Sequence, residues 1–353
     1  MFLRERTAVT GIGETEYSRG SGKSLQRLQL EAALNAIVDA GLDPKEIDGI
    51  IAYGAGPVVA EDFITNFGIP DLRFSATTPM GGASCVAAIQ AASAAIVAGI
   101  CNHVLIPIGR NGYSEARITS RIGQMPQFRT VGEFEMPLGA IAPAQLYAPM
   151  ARRHMELYGT TSRQLAEIAV TTRAHAALNG NATMTAPITI EDHQASRMIS
   201  DPLRLLDCSL ESDGGAAIVV SAAERAKDMR KHPVLLMGIA EGHPDSPSVI
   251  TQRADLTRLG TAKAAPKAFA MAGVTPDDID VAEIYDCFTY IVLCQLEDLG
   301  FCKKGEGGTF VENGALGLHG RLPTNTHGGL LSQAHMAGMN HLVELVRQLR
   351  GEA

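Results

Sequence analysis

The 353-residue sequence has no tryptophan and only 5% aromatic residues, so any core it builds rests on small and aliphatic side chains. It also lacks an apolar run of the ~20 residues that a bilayer-spanning helix needs. Its start, Met1-Phe2-Leu3-Arg4-Glu5-Arg6, is charged and unlike a signal peptide, which makes the cytoplasm the expected compartment. Six cysteines, at 85, 101, 208, 287, 294 and 302, form no Cys-x-x-Cys pair. Neither a zinc ribbon nor a disulfide framework is expected from them, and no metal site or permanently bound cofactor is expected. The chain has no basic excess either; its net charge of −8 argues against nucleic acid as a partner. What is present, 46% hydrophobic and 19% charged residues, suits a globular protein with ample core.

Residues 81–99 read GGASCVAAIQAASAAIVAG, a Gly-Gly turn, one cysteine and then a helix with no charged side chain. A helix that is apolar all round is buried, and Cys85 falls at its N-terminus. Unpaired N–H groups and the helix dipole favour a thiolate there, so the sequence predicts a lowered thiol pKa and a candidate nucleophile.

The chain also repeats itself. Shifted by 232 residues, AGLDPKEIDGIIAYG at 40–54 lies over AGVTPDDIDVAEIYD at 272–286, with Ala32, Ala33 and Ala36 over Ala264, Ala265 and Ala268. Each copy reads helix, Gly stop, Pro turn, strand. Both halves also open on a short apolar run, Ala8–Gly13 and Val234–Ile239. The expected organisation is a duplicated α/β fold, with residues 1–225 and 232–353 as its halves and Ala222–His232 between them. Between the expected strands Val104–Ile108 and Ala216–Val220 the first half carries an insertion, about 110–205. A segment of that length inside a compact domain is expected to be a lid or ligand-binding element. Its arginines, Arg110, Arg117, Arg121, Arg129, Arg152 and Arg153, are candidates for meeting an anionic ligand.

Two further segments carry chemistry. Residues 325–341, NTHGGLLSQAHMAGMNH, bring Asn325, His327, His335 and His341 to one loop ahead of an amphipathic helix over Leu342–Leu349. Histidine is the commonest general base, and a metal site is disfavoured because the spacings place these rings on no single helical face. The run Glu283-Ile284-Tyr285-Asp286-Cys287-Phe288 ends the second copy of the repeat and turns into an expected helix, Thr289–Leu299. Ligand sites of α/β sheets collect at such strand ends. The first copy has Tyr53 opposite Tyr285 but Ala55 opposite Cys287, which singles out the cysteine.

Taken together, the duplication, the cysteine behind a Gly-rich turn, and Asn-x-x-Gly-Gly with a histidine six residues beyond resemble the thiolase superfamily, in particular its sterol-carrier-protein type and the related bacterial "lipid-transfer" proteins. The resemblance implies a thiolase-like α/β fold with two mixed sheets around buried central helices. It implies Cys85 as nucleophile, His335 as its activating base and Cys287 as acid/base. It also implies a supporting or oxyanion role for His327, Asn325 and Gly329, and the insertion becomes a lid or coenzyme A-binding loop domain, with Arg110, Arg117 and Arg121 as candidate contacts. Tyr285 stands where the family has histidine. The activity implied is a 3-oxoacyl-CoA thiolase, an acyltransferase with coenzyme A as co-substrate. Alternatives are a retro-aldol lyase acting on a 3-hydroxyacyl-CoA, with Tyr285 as acid or base, and a non-catalytic acyl-CoA or lipid carrier. The resemblance further implies a homodimer and, because relatives continue into two more strands beyond the equivalent of Leu342–Arg350, a C-terminally shortened second half. An accessory zinc-ribbon/OB-fold subunit is the expected cover for that edge.

Overall fold

The computed structural model describes residues 2–52, 58–115, 117, 128–246, 250–251 and 253–353. Tyr53, Ala55 and Arg121 lie outside the described residues. Among the described residues there are eight strands: β1 (Thr7–Glu14), β2 (Gly49–Ala52), β3 (Phe74–Thr77), β4 (His103–Asn111), β5 (Met198–Ser200), β6 (Leu203–Arg204), β7 (Asp213–Ala222) and β8 (Val234–Leu235). Six form one mixed sheet in the order β3-β2-β4-β7-β1-β8, and β5 with β6 makes a separate two-stranded ribbon. In the large sheet β2 pairs parallel with β3 and β4, whereas β4–β7 and β7–β1 are antiparallel.

Alternation along the central strands decides which helix covers which face. Val104, Ile106 and Ile108 of β4 join Ile218 and Val220 of β7 in a core shared with helix α3 (Ser84–Val97) and the helix Met339–Arg350. Leu105 and Val219 point the other way, into a core with α1 (Leu25–Ala40) and Phe63 of α2 (Ala60–Phe67). Alanine lets α1 sit directly on the sheet: Ala32, Ala33 and Ala36 are fully buried, and a Cβ on Gly13 of β1 would collide with the backbone of Ala32 and Ala36. The second half repeats the device, since a Cβ on Gly238 would strike the carbonyl of Ala268 in the helix Thr261–Ala272.

Both repeat copies realise helix, Gly stop and Pro turn. Gly41 and Gly273 cap their helices in the left-handed conformation (φ 74° and 73°), and Pro44–Glu46 and Pro276–Asp278 are single 3₁₀ turns. The copies then diverge. Ile50–Ala52 enter the sheet, but the stretch that was expected to be the second strand makes only one isolated bridge, Ala282 to Thr324. Asn325 takes the place of a neighbouring strand there: its Oδ1 accepts from Ile284 N (2.7 Å) and its Nδ2 donates to Ile284 O (2.8 Å). Val234–Ile239 likewise contributes only the two residues of β8, which joins β1 of the first half.

The described residues of the insertion include the helices Pro143–Tyr158, Ser162–Ala176 and Ile190–Ala195 ahead of the β5/β6 ribbon. Its Leu146, Met150, Leu165 and Ile168 share one core with Ile284, Tyr290, Leu293 and Leu331. The insertion therefore packs on the second half and forms a wall over the end of segment 283–288. Among the described residues no helix is long and apolar enough to cross a membrane.

Candidate active site

Where the insertion meets the second half there is a cavity of about 280 Å³. Phe128, Ala144, Tyr147, Ile199, Leu210 and Phe288 give it apolar walls, and Arg110, Glu211, Tyr285, Cys287 and His335 supply the chemistry. A second recess of about 480 Å³ shares Gly81, Gly82, Phe128 and Tyr147 with it and carries His243 and Arg253.

Tyr285 occupies the centre of the arrangement. Its ring lies against Gly82, where an added Cβ would fall 2.6 Å from Cε1, and against Gly338, 3.3 Å from Cδ2 by the same test. The ring thereby roofs the turn that leads into α3. His335 meets Tyr285 edge-on, with ring centres 6.4 Å apart and planes at 86°. The His335 backbone N–H donates to Ser212 Oγ (2.8 Å), while its buried Nδ1 has no hydrogen-bond partner. Burial, followed by the charge of Arg110, holds the His335 pKa well below the usual histidine range, so the imidazole is neutral at pH 7.

Cys85 does not have the environment that its position in the sequence suggests. It sits in the first turn of α3 as expected, but it is only 3% exposed, and its Sγ donates to the carbonyl of Ala337 (3.5 Å). Burial pushes the thiol up to about 12. A helix N-terminus is worth about 0.3–1 kcal/mol, less than one pKa unit, so desolvation outweighs the dipole and the expected thiolate is replaced by a buried thiol. Nor does His335 pair with Cys85, whose hydrogen bond goes to the backbone. Cys287 does line the cavity, half-buried, and burial with the nearby Asp286 carboxylate raises its pKa.

The residues expected to support an oxyanion lie one layer behind the cavity. Asn325 is committed to Ile284, as described above. Gly329 turns with φ 56° against Asp286, whose carboxylate accepts from Leu330 N (2.7 Å), Leu331 N (3.2 Å) and His341 Nε2 (3.0 Å). His327 is fully buried; its Nδ1 lies 2.9 Å from Glu283 Oε2 without hydrogen-bond alignment, and its Nε2 is 3.2 Å from Asn340 Nδ2. These residues hold the segment that presents Tyr285 and Cys287. Of the arginines, Arg110 reaches the cavity, whereas Arg117 stands with Arg19 over the exposed ring of Tyr113. The sequence reading missed Tyr147 and Phe128. Their only signal is that they fall in the insertion, the segment with no repeat counterpart.

The buried layer makes stability depend on pH. Burial raises Glu283 to about 8, so the folded chain keeps a proton there that the unfolded chain loses above about 4.5. That contribution disappears as pH rises toward 8, at up to about 1.4 kcal/mol per unit. Burial lowers His103, His175, His335 and His327, the last to about 3, and this stabilisation is lost instead as pH falls below about 6.5. Thermal melts should therefore fall on both sides of about pH 6.5, and Glu283→Gln should flatten the alkaline limb while steepening the acid limb between about pH 4.5 and 6.5. A variant with an unchanged alkaline limb would remove Glu283 from this account.

Residues 242–353 match the family model described as thiolase C-terminal domain-like. A Mycobacterium tuberculosis protein called 17-hydroxy-3-oxo-4-pregnene-20-carboxyl-CoA lyase is 40% identical over 99% of this chain and 93% of its own length. An acetyl-CoA acetyltransferase of Methanothermobacter thermautotrophicus is 35% identical over 98% of this chain and 91% of its own. Among solved structures, one titled Ltp2-ChsH2(DUF35) aldolase superposes with a TM-score of 0.92 at 40% identity, covering 99% of this chain and 91% of that one. The chain therefore belongs to the thiolase superfamily, as a thiolase-like protein of the sterol-carrier type.

Proposed function

We propose that this protein is a retro-aldol lyase acting on a 3-hydroxyacyl-CoA with a bulky acyl group, rather than the acyltransferase that the family resemblance first implies. The observation that carries this reading is the burial of Cys85, 3% exposed, in a helix whose entry turn has Gly82 packed under the ring of Tyr285. Burial pushes that thiol up to about 12, whereas an acyl-enzyme would need it exposed and ionised. The 40%-identical lyase favours the same choice. Its name puts a hydroxyl β to a thioester carbonyl, the arrangement that a retro-aldol cleavage requires.

In this reading the acyl group fills the apolar cavity and the coenzyme A portion leaves through the recess that holds Arg253 and His243. The neutral imidazole of His335 takes the proton of the 3-hydroxyl. The C2–C3 bond breaks, C3 becomes a ketone, and its electron pair passes into the thioester as an enolate. Tyr285 protonates C2, and the proton on His335 returns to the phenolate. Each proton is accounted for, with no acyl-enzyme and no second coenzyme A. Cys287 forms part of the cavity wall.

The solved aldolase of similar fold is titled as a complex of two components, and we extend that to an accessory subunit here. A homodimer is also part of the reading, because β3 is an edge strand whose residues alternate between half-buried and exposed. The direct test is product analysis. Aliphatic, aromatic and steroidal 3-hydroxyacyl-CoA esters, incubated without free coenzyme A, should yield a carbonyl compound and a shortened acyl-CoA in equal amounts from at least one class. Cleavage that depends strictly on free coenzyme A would overturn the reading in favour of thiolysis.

A further inference from the structure

Arg110 ends a central strand inside the site. It lies next to last in β4, in register with Gly214 of β7, and it lines the same cavity as Tyr285, Cys287 and His335. Among the described residues its guanidinium has no hydrogen bond and no ion pair. Asp213, which faces Asn111 across the β4–β7 pairing, is committed elsewhere: both its oxygens are taken, by the N–H groups of Ser21, Tyr113 and Ser114 and by the Ser114 hydroxyl. Its charge is felt at His335, where it adds to burial in disfavouring the imidazolium. Arg110, half-buried, shares the cavity lining with the apolar Phe128, Ile199 and Leu210. The anion it suits is one that the reaction brings.

We infer that Arg110 is a catalytic residue that stabilises the thioester oxygen as the enolate forms. This rests on the retro-aldol reading, in which the only new negative charge of the C–C cleavage step is on that oxygen. A guanidinium held in a low-dielectric cavity before the charge appears acts on the transition state more than on the bound substrate, because the thioester carbonyl is neutral in the ground state.

Arg110→Met and Arg110→Lys test this with two readouts. On the 3-hydroxyacyl-CoA that the wild type cleaves, Arg110→Met should lower kcat by about 10²–10³ with KM changed only a few-fold, and Arg110→Lys should fall between. The second readout is exchange of the α-protons of propionyl-CoA and acetyl-CoA in D₂O, which needs the enolate but no cleavage. Wild type should exchange at least one of them, and Arg110→Met should lose exchange in proportion to its kcat. A loss confined to KM would make Arg110 a ground-state contact for an anionic acyl group, and an undiminished kcat or exchange rate would also overturn the inference. If Arg110→Met fails to fold, Arg110→Lys decides by the same criteria. Failure of the lyase reading is a separate result: the wild type itself would then require free coenzyme A for cleavage.

Discussion

Replacing Tyr285 with phenylalanine should lower kcat for C–C cleavage by about 10²–10⁴, the range over which a positioned general acid contributes. The ring stays, so the packing against Gly82 and Gly338 stays, and the thermal midpoint should move little. The informative comparison is with Cys85→Ala. If the chemistry runs through Tyr285 and His335, removing a thiol that is 3% exposed and bonded to a backbone carbonyl should leave kcat within a few-fold of wild type. A thiolase mechanism inverts the order, with Cys85→Ala inactive and Tyr285→Phe only impaired. Steady-state kinetics on the two purified variants distinguish these outcomes.

Gly82→Ala should damage the same group from the other side. Gly82 does not have a positive φ, so the backbone accepts alanine, but the new methyl would stand 2.6 and 2.7 Å from ring carbons of Tyr285. The ring also rests on Gly338, so it can escape only by lifting into the cavity and losing its orientation toward the substrate. The expected cost is about 10²-fold in kcat/KM, since small displacements of a catalytic group are this expensive. Because the damage passes through one phenol, Gly82→Ala should add less than about three-fold when Tyr285 is already phenylalanine. Full additivity in that cycle would mean that Gly82 acts on something other than Tyr285.

The reach of the sequence is clearest where the two copies of the repeat are compared. Helix, Gly stop and Pro turn were legible because caps and turns are decided within a few residues. The second strand was not. Residues 282–286 interleave Glu283 and Asp286 with apolar neighbours, and their backbone is satisfied by Asn325 and by the carbonyl of Pro323 (2.9 Å from Ala282 N) in place of a flanking strand. Those acidic residues are visible in the sequence, and they mark a segment built into a polar network.

The site shows the same division. Helix α3 and the place of Cys85 in its first turn follow from residues 81–97. The thiol's pKa does not, because burial sets it, and Ala337, whose carbonyl takes the thiol's hydrogen bond, comes from a distant segment of the chain. Arg110 stood out only as one cation among several in the insertion, until the pairing of β4 with β7 carried it into the cavity.

The most direct test of a non-covalent lyase is the intact mass of the protein during turnover. Mixed with a 3-hydroxyacyl-CoA that it cleaves and quenched in acid within the first turnovers, the protein should retain its unmodified mass while ketone and shortened acyl-CoA accumulate from the first time point. An acyl-sized mass increase that maps to Cys85, forming in a burst and discharged by added coenzyme A, would contradict the account.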